Sequence, residues 1–277
     1  MRFGIHGCLL IVFLALSSAL AASETADQLE ARAQQLMSVD PPDWGGAYEQ
    51  FEQAAALGSL SAASYLGWMH EHGHGVEVDH EAAAVWYRKV AEGGVHDYSV
   101  KLGWMYLGGS QLEVDRALAE QWFGRAIAAG YLPAHVALAS VLVADALGGT
   151  ATDRVYEARA LLESALEGDV ALAAFFLARL YVEGIGGHPV DEALGAKYTR
   201  ISAEDGQALM QGWLARMYLE GRGVEADRME AAFWAALAAS GGDPLGRQLH
   251  AALIESMSED ERQAVMTRTM RWALERR

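Results

Sequence analysis

The sequence predicts an all-α protein with the architecture of an α-solenoid, a right-handed superhelix of stacked antiparallel helix pairs. The first observation behind this prediction is a pattern of small and apolar residues over 62–94, which occurs five times along the chain. A fixed period of this size is typical of repeat arrays. The second observation is the composition, 52% hydrophobic with only 5 prolines, which is typical of helices with large buried faces.

The first half of each unit is expected to be a helix that ends in a glycine-containing turn. In the best copy, Ala62, Leu66 and Met69 lie three or four residues apart, which is the spacing of one helical face. Gly73 and Gly75 follow, and glycine tolerates the positive φ that often occurs just past a helix end. The chain can therefore reverse direction there.

The second half of each unit is expected to be a helix with an aspartate cap. An aspartate at this point can accept hydrogen bonds from the free N–H groups of the first turn. The predicted caps are Asp79, Asp115, Asp153, Asp191 and Asp227. The predicted glycines at the ends of these helices are Gly94, Gly130, Gly168, Gly206 and Gly241. Between cap and glycine, Ala83 and Trp86 set a small residue beside a large ring, which favours close packing of the helix pair.

The repeats share the motif Leu-Gly-x-x-Tyr-x-x-Gly-x-Gly-Val-x-x-Asp, followed by Ala-x-x-Trp and Ala-Ala-x-x-Gly. This motif resembles the Sel1-like repeat, a longer relative of the tetratricopeptide repeat. The resemblance extends over residues 44–244. It implies stacked antiparallel helix pairs, and it implies a scaffold or adaptor that binds other proteins. It implies no reaction.

The N-terminus has the layout of a cleaved secretory signal over residues 1–21. Arg2 precedes an apolar run from Cys8 to Leu16, and the run ends in a small-residue cleavage site. We expect a mature chain that begins near Ala22, is periplasmic or secreted, and makes no stable membrane insertion. The single cysteine, Cys8, is lost with the signal, so the mature chain has no disulfide.

The mature chain divides into three parts. Residues 22–46 are expected to form an N-terminal capping helix and a linker, residues 47–242 the array with a leading half-unit, and residues 243–277 the C-terminal capping helices. The five full units cover approximately 59–94, 95–130, 131–168, 169–206 and 207–242. The third is the poorest match, because its turn segment is longer and Ala160 stands where the other units have an aromatic ring.

The last helix is expected to cap the array with a polar outer face. Ser258 and Glu261 have the capping-box spacing at its start. The residues expected to meet the last repeat are Val265, Met266, Met270 and Trp272, and those expected to face water are Arg268, Arg271, Arg276 and Arg277.

The formal net charge of −16 argues against a nucleic-acid partner, because phosphate binding requires clustered Lys and Arg. Serine-nucleophile and phosphate-loop motifs are missing from the mature chain, so we expect no catalytic residue and no cofactor.

Two alternatives stay open. A secreted cell-wall or β-lactam hydrolase, an activity ascribed to some members of the family, could use paired carboxylates such as Glu183 and Glu220. A periplasmic metal-binding protein could use His70, His72 and His74, because imidazoles are suitable ligands for zinc and copper.

The leading hypothesis is an exported, non-catalytic scaffold that holds a protein or peptide of the cell envelope in the concave groove of the array. By resemblance to tetratricopeptide arrays, the residue after the Leu-Gly pair of each first helix points into that groove. These residues are Trp68, Trp104, Ser140, Arg179 and Arg216, and Glu71 extends the same wall. Trp and Arg are the residues most enriched at interface hot spots. The competing interpretation is that Trp68 and Trp104 are core, although Trp86, Trp122 and Trp234 occupy the position expected to be core.

Overall fold

A computed structural model describes residues 24–110, 112–150 and 152–276; the predicted signal over 1–21 lies outside them. The described residues form fourteen α-helices and no strand, which confirms the all-α prediction. The helices are α1 (Ala26–Ser38), α2 (Trp44–Ala56), α3 (Leu60–His72), α4 (His80–Glu92), α5 (His96–Trp104), α6 (Arg116–Ala128), α7 (Leu132–Leu147), α8 (Val155–Glu167), α9 (Leu172–Glu183), α10 (Glu192–Glu204), α11 (Ala208–Glu220), α12 (Arg228–Ser240), α13 (Pro244–Glu255) and α14 (Glu259–Leu274). In the described part of the chain no helix is both long and apolar enough to cross a membrane.

The helices belong to two compact halves of the chain, here called unit 1 (up to Trp122) and unit 2 (from Phe123 onward). The five copies of the sequence pattern are called repeats from here on. In unit 1, α1 pairs with α2 and α3 pairs with α4, while α2–α3 and α4–α5 contacts join successive pairs. Phe51, Leu66 and Met69 are fully buried in one apolar cluster. Each pair thus buries its apolar face only with the help of the next, as a repeat array requires.

Unit 2 follows the same rule with three further pairs, α7–α8, α9–α10 and α11–α12. Contacts of α8 with α9 and of α10 with α11 join them, and both α13 and α14 pack on α12. Leu162, Leu177 and Leu214 are fully buried, one in each pair. Each pair of unit 2 therefore contributes a fully buried leucine to the core.

Four of the five predicted aspartate caps are confirmed. The side chains of Asp79, Asp115, Asp191 and Asp227 each accept a hydrogen bond from a backbone N–H in the first turn of the following helix. The prediction for Asp153 is wrong. It lies in a 3₁₀ turn over Thr152–Arg154, and Arg154 takes the cap position of α8 without a side-chain hydrogen bond. The longer linker of the third repeat places the aspartate inside this turn, one residue before the cap position.

The third repeat also differs from the register that the sequence predicts. Ala160 is exposed and does not replace a core ring. Gly168 has a negative φ and packs tightly, since an added Cβ would lie 2.1 Å from Cδ1 of Leu132. The left-handed position falls on the next residue, Asp169, at φ 64°. Gly168 therefore allows close contact between helices, and Asp169 takes the left-handed position where the chain reverses.

The second glycine of the turn has a role that a turn alone does not explain. Gly75 and Gly223 have φ values of 75° and 69°, and both lie against the start of an earlier second helix. An added Cβ at Gly75 would be 2.5 Å from the carbonyl oxygen of Trp44, and at Gly223 it would be 1.9 Å from that of Glu192. The turn of one pair is thus packed on the backbone of the preceding pair.

The C-terminal helix agrees only in part with the sequence prediction. The capping box of Ser258 and Glu261 is present, and Val265 is buried. Met266 and Met270, however, are 45% and 57% exposed, so the expectation that they meet the last repeat is wrong. Helix α14 turns the face of Val265 toward α12, and the two methionines lie on the neighbouring face.

Candidate protein-binding surfaces

The two predicted tryptophans of unit 1 differ in their surroundings. Trp104, the last residue of α5, is 42% exposed, whereas Trp68 on α3 is half-buried. Of the predicted core tryptophans, Trp122 and Trp234 are buried, but Trp86 is only half-buried. Trp86 nevertheless packs against the core cluster of unit 1, so the prediction of a core ring at that position is confirmed for Trp122 and Trp234 and in part for Trp86.

Trp68 belongs to an aromatic stack that includes the histidines of the following turn. The ring of His74 stacks on the indoles of both Trp44 and Trp68, with ring centroids 4.4 Å and 4.5 Å away, and the two indoles also contact each other with centroids 5.9 Å apart. The carbonyl oxygen of Trp68 accepts a hydrogen bond of 2.9 Å from Nδ1 of His72. One face of the Trp68 indole is therefore already covered, and the stack holds the turn against α2.

The same contacts bear on the metal hypothesis. His70 is drawn away from the other two histidines, because its Nε2 lies 3.2 Å from the hydroxyl of Tyr48. Among the residues described, no group of three or more His, Cys, Asp or Glu side chains is placed to hold a metal ion. His72 and His74 are engaged in the contacts described above, whereas Nδ1 of His70 is buried and has no hydrogen-bond partner among the described residues.

Glu71 is tied into a network that joins α3, α4 and α5. Its carboxylate accepts hydrogen bonds from the hydroxyl of Tyr87 at 2.6 Å and from Nζ of Lys101 at 2.8 Å. Burial raises the pKa of Glu71, but the hydrogen bonds from Lys101 and Tyr87 outweigh burial, so this pKa lies below its usual 4.5. Burial, together with the hydrogen bond to Glu71, raises the pKa of Tyr87. At neutral pH the Glu71 carboxylate is therefore charged and hydrogen-bonded to Tyr87 and Lys101.

The three predicted residues of unit 2 lie on α7, α9 and α11. Ser140 is half-buried and donates its hydroxyl to the carbonyl oxygen of Ala137. Arg179 makes two hydrogen bonds to Glu183, of 2.8 Å and 3.0 Å, which raise the pKa of Arg179. Arg216 is half-buried and has no hydrogen-bond or ion-pair partner within the described ranges of the chain.

The carboxylates of the hydrolase alternative both face arginine. Glu183 pairs with Arg179 as described, and Glu220 lies 3.7 Å from Nη1 of Arg222. Each of the two carboxylates is thus part of an ion pair with an arginine of its own helix or of the turn that follows it.

Sequence reasoning missed a second row on the same helices. Phe176 and Trp213 are half-buried and lie one turn before Arg179 and Arg216, at the i, i+3 spacing of helix neighbours. Phe176 and Trp213 could have been identified from the position just before the leucine of each repeat. That position holds Tyr65, Lys101, Ala137, Phe176 and Trp213, which vary between repeats as the groove residues do.

Successive helix hairpins with a constant framework and a varied first-helix surface define a repeat protein of the α-solenoid class. The chain belongs to the Sel1 repeat family. The sequence model of the Sel1 repeat matches residues 60–95, 99–131, 171–207 and 208–243, together about half of the chain. The resemblance seen in the sequence is thereby confirmed, and the segment between the second and third matches contains the repeat with the longer linker.

One solved structure supports the fold, and a second is similar at a lower score. A Sel1 repeat protein from Oxalobacter formigenes has a TM-score of 0.60 and 22% identity, and the match covers 84% of this chain and 99% of that one. A protective antigen of uropathogenic Escherichia coli strains, displaying the same repeat fold, has a TM-score of 0.49 and 18% identity, covering 91% of this chain and 62% of the antigen. The α-solenoid prediction is confirmed. No curated protein sequence matches the chain.

Proposed function

We propose that the chain is an exported, non-catalytic scaffold that binds a protein or peptide of the cell envelope through the first helices of its repeats. Sel1 repeats commonly mediate protein–protein interactions. The observation that carries the proposal for this chain is the aromatic and arginine pairing on α9 and α11, where Phe176 precedes Arg179 and Trp213 precedes Arg216.

Unit 2 offers the chemistry of an interface hot spot. A half-buried ring beside an arginine provides apolar area and directed donors together, and Trp and Arg dominate interface energetics. Arg216 has donors that no described residue uses, so a carboxylate or a backbone carbonyl of the partner can accept from it. The chain carries a net charge of −16 and therefore repels acidic groups in general. Arg216 offsets this repulsion locally and favours an acidic group of the partner.

Unit 1 offers a different surface. The exposed indole of Trp104 lies on α5 one turn after Lys101, which pairs with Glu71 of α3. An exposed aromatic anchor beside a fixed ion pair suits a mixed apolar and polar segment of a partner. Glu71 supports this surface from within, since its Oε2 accepts hydrogen bonds from both Lys101 and Tyr87.

The binding proposal is tested by site-specific photocrosslinking in cells. A photoreactive residue in place of Arg216 is expected to capture a defined partner, whereas the same residue in place of Lys197, exposed on the second helix α10, is expected to capture none. With the partner in hand, Trp104→Ala and Arg216→Ala are each expected to weaken its binding by about tenfold to a hundredfold, with helical content unchanged. Equal capture at both positions, or unchanged affinity in both variants, would remove the first-helix assignment.

Export is a separate prediction. The protein recovered from its native cells is expected to begin at Ala22, because the Ala-Leu-Ala sequence before it suits signal cleavage. Intact-mass measurement of the protein in the envelope and culture fractions checks this. A full-length chain confined to the cytoplasmic fraction would contradict it.

A further inference from the structure

A cavity of about 400 Å³ near the end of unit 2 is lined by residues of α12, α13 and α14. The side that α14 contributes includes Met266 and Met270, which are 45% and 57% exposed. Their spacing of four residues places both on one face of the helix. The side that α13 contributes includes His250 and Ile254. Two thioether sulfurs and one imidazole therefore border the same space.

The polar groups of the cavity wall differ in whether they have partners. The hydroxyl of Thr269 donates to the carbonyl oxygen of Val265 at 2.8 Å, and Nε of Arg262 donates to the carbonyl oxygen of Ile254 at 3.0 Å. Nδ1 of His250, in contrast, is buried and has no hydrogen-bond partner among the described residues. A buried polar atom without a partner is costly, so it needs a physical explanation. A ligand bound in the cavity provides one.

The charge state of His250 suits metal binding. Burial lowers the pKa of His250, so its imidazole is neutral at neutral pH. The neutral imidazole is the form that binds metal ions, because a ring nitrogen then has a free electron pair. The residues that line the cavity include no carboxylate, which argues against calcium and magnesium because those cations prefer oxygen ligands.

The methionines indicate which metal fits. Thioether sulfur is a soft ligand that selects Cu(I), and imidazole is also a suitable ligand for copper. Each methionine side chain has three rotatable bonds and is partly free in solvent, so its sulfur can turn toward an ion in the cavity. The surrounding wall includes Ala236, Ile254 and Val265, whose apolar side chains limit the access of water to a bound ion.

Arg262 is the positive charge that such an ion would meet in the cavity wall. Besides its hydrogen bond to Ile254, this guanidinium lies with Nη1 3.7 Å from Oε2 of Glu259. The carboxylate offsets its charge, so Arg262 does not exclude a monovalent cation bound through neutral ligands.

We propose that Met266, Met270 and His250 form a binding site for Cu(I), with two thioether sulfurs and one imidazole nitrogen as ligands. The ligands come from two helices, so no short sequence motif contains them. The site is distinct from the histidine turn of unit 1 and from the first-helix surface on α9 and α11. Its copper binding is therefore independent of the proposed partner binding.

Anaerobic titration with Cu(I) against the chromophoric chelator bathocuproine disulfonate tests the proposal. The sample is the mature chain from Ala22 onward, which lacks Cys8, because a thiol would itself bind Cu(I). The wild type is expected to retain one Cu(I) ion per chain in competition with the chelator. X-ray absorption spectra of the complex are expected to show both sulfur and nitrogen neighbours of the copper.

The double variant Met266→Leu with Met270→Leu removes both sulfurs and keeps the side-chain volume. It is expected to weaken Cu(I) binding by at least about a hundredfold, since even the outer partners of metal ligands contribute tenfold to a hundredfold to metal affinity. The matched control is Met37→Leu with Met229→Leu, which replaces two half-buried methionines of α1 and α12. The control should bind Cu(I) as the wild type does, and circular dichroism should show equal helical content in both variants.

Two histidine variants identify the nitrogen ligand. His250→Phe is expected to weaken Cu(I) binding by about tenfold or more. His72→Ala with His74→Ala is expected to leave it unchanged. The proposal is overturned if the chelator removes all copper from the wild type, if the double leucine variant keeps wild-type affinity, or if copper has only nitrogen and oxygen neighbours. Loss of binding in the His72 and His74 variant would also overturn it, because the ion would then lie at the turn of unit 1.

Discussion

Replacing Gly223 by alanine is expected to destabilise unit 2 by about 3–5 kcal/mol. Two costs add at this position. The φ of 69° disfavours any L side chain, and the new Cβ would lie 1.9 Å from the carbonyl oxygen of Glu192. Because that oxygen belongs to backbone in the preceding pair, no side-chain movement relieves the overlap. Urea unfolding followed by circular dichroism measures the loss.

Gly242→Ala is the matched control for Gly223→Ala. Gly242 has a comparable φ of 86°, but nothing lies within 4 Å of its added Cβ. Only the backbone term applies, and the expected cost is about 1–2 kcal/mol. Equal losses in the two variants would show that the turn does not depend on close contact with α10.

The second large effect is expected for Glu71→Ala, at about 2–3 kcal/mol of unfolding free energy at neutral pH. The substitution leaves Nζ of Lys101 and the hydroxyl of buried Tyr87 without the acceptor they share. Glu157→Ala is the control, because that carboxylate is 47% exposed in its pair with Arg154 and should contribute less than about 1 kcal/mol.

The Glu71 effect should also depend on pH with a definite sign. The pKa of Glu71 is lowered in the folded protein, so its stabilisation is present above the unfolded value of 4.5. This contribution is lost as the pH falls through the lower folded pKa. The difference between wild type and Glu71→Ala should therefore shrink in acid, and urea titrations at neutral and acidic pH measure it. A difference that grows in acid would contradict the role assigned to the charged carboxylate.

The helix positions of the candidate residues could be predicted from the sequence, but their side-chain contacts could not. These positions follow from one repeat register, because a fixed period carries each residue to an equivalent place on its helix. The residues are Trp68, Trp104, Ser140, Arg179 and Arg216. The neighbours of each residue do not follow. That His74 stacks on Trp68 and that Tyr87 and Lys101 bind Glu71 depends on how side chains from different helices and turns meet.

The helix pairs, four of the five aspartate caps and the family could be predicted from the sequence, since they depend on local spacing and hydrogen bonding within a few residues. The packing of the helices was needed to show that Gly75 and Gly223 permit stacking, that Glu71 is bound by Tyr87 and Lys101, and that Met266 and Met270 are exposed. These facts depend on contacts between residues far apart in the chain, and a periodic pattern specifies which face of a helix is apolar but not which neighbour covers it.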